Sequence, residues 1–97
     1  MYELTGVTLL VVEPEERVRS ELVLDLFHHG ACVLVAEGVE EALELMRGVR
    51  VHCAIAAPGL ASSLRRAAAD EPGLSGVPVV TREGTATTVG QPEAVEA

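Results

Sequence analysis

The sequence predicts an α/β fold with a mainly parallel sheet, and three observations predict it. Short apolar runs of β-forming residues alternate with helix-patterned stretches of about ten residues, the rhythm of parallel strands joined by right-handed helical crossovers. The first run, Val7–Val12, is almost continuously apolar, as befits a strand covered on both faces. Pro-Gly steps stand at the joints, at Pro58-Gly59 and Pro72-Gly73.

Taken in order, Val7–Val12 is the first strand and runs into Glu13-Pro14-Glu15-Glu16. Pro14 suits the first turn of a helix, where its missing N–H costs nothing, and the following acids suit the positive end of the helix dipole. Val18, Leu22 and Leu26, with Val23 and Phe27, form an apolar stripe at i, i+4 spacing; Arg17, Glu21, Asp25 and His28 lie off it. Gly30 is a natural stop. Ala31–Ala36 is a second strand, and Val39–Gly48 a second helix with Ala42, Leu45 and Met46 turned inward. Val51–Ala56 is a third strand, Leu60–Asp70 a weaker helix carrying Leu64, and Val77–Thr81 a fourth strand. Only Arg82-Glu83-Gly84 then precedes the β-capable run Thr85–Val89. That link is too short for a parallel crossover, so the run forms a hairpin or is not a neighbouring strand. Gln91-Pro92 begins the first turns of a final helix.

The chain is one domain of 97 residues. Its apolar residues are mostly Val, Ala and Leu, with one Phe, one Tyr and no Trp, so the core relies on small aliphatic contacts. Fifteen acids against seven arginines, with no lysine, give a net charge of −8. No basic stripe is present to neutralise phosphates, which argues against a nucleic-acid partner and against anionic membrane surfaces. No apolar run approaches the ~20 residues of a membrane span, and no basic flank precedes a signal-type core. A cytoplasmic location is expected.

With Arg50–Gly59 read as a buried strand entering a Pro-Gly loop, Val7–Glu16 as a strand ending in acids, and Ala36–Met46 as the opening of a helix, the chain resembles the receiver domain of bacterial two-component response regulators. The resemblance covers about Val7 to Val80. It implies a flavodoxin-like three-layer sandwich with strand order 2-1-3-4(-5), here with an abbreviated C-terminal part: residues 82–97 are shortened and the fourth helix is missing. In that order a whole strand separates those of Cys32 and Cys53. Two strand spacings come to roughly 9–10 Å, beyond the ~7 Å reach of a disulfide, so buried reduced thiols are expected.

The receiver reaction uses an Asp nucleophile after the third strand and an acidic pair that holds Mg²⁺ with it. It also uses a Thr or Ser after the fourth strand, and a Lys before a Pro that neutralises developing charge. The resemblance places Ala57 at the nucleophile, Glu13-Pro14 at the acidic pair, Thr81 at the hydroxyl and Gln91-Pro92 at the Lys-Pro step. A methyl group is no nucleophile, and Glu13 beside Ala57 is a poor Mg²⁺ site. Neither aspartyl phosphorylation nor a bound cofactor is expected.

Plainer readings stand beside these. Glu13 reads first as a helix-start acid, Thr81 as an ordinary strand-end residue, and Gln91 as a polar residue before proline. His28-His29 point about 100° apart on a helix, a poor chelate, and suit its C-terminal dipole. His52 and Cys53 face opposite sides of a strand and cannot form a dyad. Arg65-Arg66 is a solvated helix face. No glycine-rich phosphate loop follows the first strand.

These readings converge on a degenerate pseudo-receiver: a phosphorylation-independent signalling module that acts through a protein partner or a homodimer. The face is expected at Val79, Val80, Thr85, Val89 and Pro92, within 77–97, because a shortened C-terminal part leaves apolar sheet uncovered. The alternative is a small-ligand sensor using the vacated pocket at the strand C-terminal ends.

Overall fold

Each predicted crossover is realised as a helix, and the strands it joins are therefore parallel. The computed structural model describes residues 4–82. In order they form β1 (Thr8–Val12), α1 (Glu16–His28), β2 (Cys32–Ala36), α2 (Val39–Gly48), β3 (Cys53–Ala56), α3 (Pro58–Ala69) and β4 (Val79–Thr81). The sheet is parallel throughout, in the order β2-β1-β3-β4, so the architecture is flavodoxin-like. The predicted run Thr85–Val89 and the Gln91-Pro92 step lie outside the described residues.

The strand pleat divides the apolar residues between two layers. Leu10, Val12, Ala54, Ala56 and Val79 pack with Ala42 and Met46 of α2 and Ala61, Leu64 and Ala68 of α3. Leu9 and Val11 point to the other face, where α1 lies over β1 and β2. That second layer is thinner, and α1 contributes no fully buried residue.

Several boundaries differ from the sequence reading, each for a local reason. Pro14 does not enter the first helical turn. The Glu13 carboxylate accepts the Glu15 N–H at 3.1 Å, which holds 13–15 as a turn and starts α1 at Glu16. By contrast α3 starts two residues early, with Pro58 in its first turn, and both Leu60 and Ala61 donate to the Ala57 carbonyl. Pro78 keeps β4 short, because it has no N–H for the ladder.

The apolar stripe of α1 is also narrower than predicted. Val18, Leu22, Val23 and Leu26 are half-buried, but Phe27 is 65% exposed. The sheet ends at β2, so the side of α1 carrying Leu24 and Phe27 overhangs its edge. Leu45, expected inward on α2, is half-buried, whereas Ala42 and Met46 are fully so. The thiols are free, and β1 separates them as the strand order requires. Cys32 is nevertheless exposed, because its strand is an edge. Cys53 is half-buried, and loss of hydration pushes its thiol pKa up.

The turn from α1 into β2 depends on Gly30, whose φ of +94° lies in the left-handed region. A Cβ built there would stand 2.9 Å from Thr5 Oγ1 and 3.3 Å from the Thr5 backbone nitrogen. Next to it, Leu4 N–H donates to the His29 carbonyl at 2.7 Å. Gly30→Ala should therefore lower the unfolding free energy by about 2 kcal/mol, from the left-handed backbone penalty plus the crowding. A urea melt indistinguishable from that of the parent chain would refute this.

In the last turn of α2, Arg47 forks onto Glu71, with Nε–Oε1 at 3.0 Å and Nη2–Oε2 at 2.6 Å. The hydrogen bond holds the Glu71 carboxyl below its usual pKa and raises that of the guanidinium. The pair is open to water, so it orients the α3–β4 turn more than it stabilises the fold.

Candidate functional site at the C-terminal edge of the sheet

The strand register brings one row of residues together. Glu13 N–H donates to the Ala36 carbonyl, Ala57 N–H to Val12, and Arg82 N–H to Ala56. The positions just after the four strands therefore line up across the sheet as Glu37, Glu13, Ala57 and Arg82. Ala57 stands next to Glu13 in this row.

Glu13 is 4% exposed, among the most buried residues of the edge. Both its carboxylate oxygens are engaged. Oε2 accepts the Glu15 N–H, and Oε1 accepts Arg82 Nε at 2.8 Å. Arg82 reaches this carboxylate from the far side of β3. Strands β1 and β4 are two spacings apart, roughly 9–10 Å, so the guanidinium must cross the end of β3, where residue 57 sits. There Ala57, 7% exposed, presents only a methyl group. The Arg82 side chain thus spans the end of β3 to pair with the buried Glu13 carboxylate.

Thr81 is engaged as well. Arg65 of α3 donates from Nη2 to Thr81 Oγ1 at 3.3 Å and from Nε to the Val79 carbonyl at 2.9 Å. Arg65 is therefore tied to β4, unlike the solvated Arg66 with which the sequence reading grouped it. Arg19 of α1 donates from Nη1 to the Glu13 carbonyl at 2.8 Å and to the Pro14 carbonyl at 3.5 Å, with Nη2 3.9 Å from Glu37. Three arginines fasten this edge. The sequence reading gathered Glu13, Pro14, Ala57 and Thr81, and the structure places all four there. It missed Arg82, Arg65 and Arg19, and Gln91 lies outside the described residues. Arg82 is the first residue after the fourth strand, but only the strand register shows that it faces Glu13.

Elsewhere, His52 Nδ1 accepts the Thr8 N–H at 2.9 Å, and His52 N–H donates to the Thr8 carbonyl at the same distance. That fixes the imidazole at the N-terminal end of the two central strands, away from any dyad. His29 donates from Nδ1 to the Asp25 carbonyl at 2.9 Å, closing the end of α1. Among the described residues, no group of three or more His, Cys, Asp or Glu side chains could hold a metal ion. No helix among them is long and apolar enough to cross a membrane.

The predicted interaction face is only partly as expected. Val80 is 45% exposed, but Val79 points into the α3 layer and is buried. The pleat sends these neighbours to opposite faces, which corrects the pairing of the two as an exposed patch. Thr85, Val89 and Pro92 lie outside the described residues. A different apolar surface stands open between α1 and β2. Arg19, Ser20, Val23, Leu24, Phe27 and Val35 line a cleft of about 560 Å³, with Leu24 and Val35 57% and 42% exposed.

Set against known proteins, the chain matches no family model, no curated protein and no solved structure.

Proposed function

We propose that this chain is a pseudo-receiver, a signalling module of receiver-like build that works by binding protein and not by phosphotransfer. The observation that carries this reading is the Glu13–Arg82 pair lying across Ala57. A phosphotransfer site needs a nucleophile, an open acidic cradle and a hard cation. Here the corresponding place holds a methyl group and a carboxylate with both oxygens already engaged, one by a guanidinium and one by a backbone N–H. Ligand sensing at the same place is less well supported, because Arg82 takes up the room a ligand would need. The apolar surface that remains open, at Leu24, Phe27, Val35 and Val80, suits a protein partner. Two free thiols accord with a reducing, cytoplasmic setting.

Acetyl phosphate with Mg²⁺ provides the test, applied to the parent chain and to Ala57→Asp. Neither protein should gain a phosphoryl group by intact mass. In the variant, the introduced carboxylate competes with Glu13 for Arg82 instead of meeting a metal. Mg²⁺-dependent labelling at position 57 would overturn the proposal, since it would show the cradle still working once a nucleophile is supplied.

A further inference from the structure

Among the described residues the sheet ends at β2 on one side and at β4 on the other, and the two strands are built differently. β4 has three residues, bounded by Pro78 and by the Arg82 pinned to Glu13. β2 has five, Cys32-Val33-Leu34-Val35-Ala36, without a charge, a proline or a bulge, so it carries none of the usual devices that keep an edge single. We infer that this edge of β2, together with the overhanging side of α1, takes a second copy of this chain about a two-fold axis. The inference rests on the proposed interaction role and names its partner.

The backbone supports this arrangement. Cys32 N–H donates to the Val7 carbonyl, and the Ala36 carbonyl accepts from Glu13 N–H. The parallel ladder therefore uses the groups of residues 32, 34 and 36, leaving the N–H and C=O of Val33 and Val35 pointing out of the sheet. A two-fold axis at Leu34 sets Val33 of one copy opposite Val35 of the other, and the converse. Each of these two pairs exchanges both of its hydrogen bonds, four in all, in an antiparallel ladder.

The side chains agree with the backbone. Val33 and Val35 lie on the face covered by α1, in register with Leu9 and Val11. Pairing the two edges brings the two α1 helices side by side and closes the cleft at Leu24, Phe27 and Val35. These are three of the five large apolar residues that stand exposed among the described residues. The ends of the strip also match. Glu37 follows β2 at one end and His28 closes α1 at the other, so the antiparallel arrangement brings a carboxylate acceptor of each copy to the imidazole end of the other. An unrelated extended peptide would satisfy the strand edge but leave the α1 overhang bare, whereas a second copy brings a matching helix beside a matching strand.

Sedimentation velocity of the full chain over a wide concentration range tests this, with Val35→Lys and, separately, Phe27→Lys. The parent chain should dimerise. Each lysine should raise the dissociation constant at least tenfold, while the thermal midpoint extrapolated to low concentration stays that of the parent. Phe27 is largely in water, so its variant reads association even if Val35→Lys perturbs folding. A parent chain that remains monomeric at every concentration would overturn the inference. So would a dimer indifferent to both substitutions, which would place association on another surface and leave the interaction role standing. Labelling at position 57, in contrast, would sink the pseudo-receiver reading without altering sedimentation.

Discussion

Arg82→Ala should destabilise the domain by about 3 kcal/mol, far more than loss of an exposed arginine. The substitution leaves the Glu13 carboxylate buried at 4% exposure with its guanidinium partner gone. Removing one member of a buried pair costs about 3–5 kcal/mol, mostly from stranding the other charge. The low end applies because the Glu15 N–H still bonds Oε2 and the Arg82 side chain is itself 19% exposed. Glu13→Gln on top of Arg82→Ala should restore much of the loss, because a neutral amide is cheaper to bury than an unpaired charge. Urea unfolding of the two single variants and the double gives the coupling directly. A loss under 0.5 kcal/mol for Arg82→Ala would mean that water reaches Glu13 and that the pair does not hold β4 to β1.

This pair also marks how far the sequence could be read. The alternation of apolar runs with helical stretches was legible, and it sufficed for four strands, three helices and parallel pairing, since a helix-length link leaves few other choices. The row at the strand ends was half legible: Glu13, Ala57 and Thr81 each end an apolar run, so counting along the runs locates them. What joins the row was not legible. The Glu13–Arg82 contact spans 69 positions, and nothing local to either residue announces it. The register of four strands has to be in place before residue 82 is seen to face residue 13 across residue 57. Phe27 and Cys32 failed for a related reason. Periodicity states which side of a helix or strand is apolar, but not where the sheet beneath it stops. Once β2 is known to be an edge, the exposure of both follows. Val79 and Val80 show the converse: an apolar pair near a sheet edge is not a patch, because the pleat separates them.

Leu10→Ala should cost about 3–4 kcal/mol, a large loss for a single side chain in this domain. Leu10 has no exposure and sits in β1, between Leu34 of β2 and Ala54 of β3. The layer above it is rich in alanine: Ala36, Ala42, Ala54, Ala56, Ala61 and Ala68. A methyl-sized neighbour has no rotamer to swing into a gap. The cavity left by Leu10 therefore stays largely open, and the lost transfer and packing terms add instead of being relieved. Domains of this size are stable by only about 5–15 kcal/mol, so such a loss should appear as a marked drop in the urea midpoint. Leu24→Ala is the matched control: the same atoms are removed from a side chain 57% exposed on the α1 overhang, and stability should change by less than about 0.5 kcal/mol. Leu10 faces α2 while the proposed pairing strip faces α1, so the two substitutions separate folding from association. A Leu10→Ala loss below 1 kcal/mol would mean that α2 and α3 settle into the gap. The fold would then rest less on this alanine-lined layer than the complete burial of Leu10 and Leu64 implies.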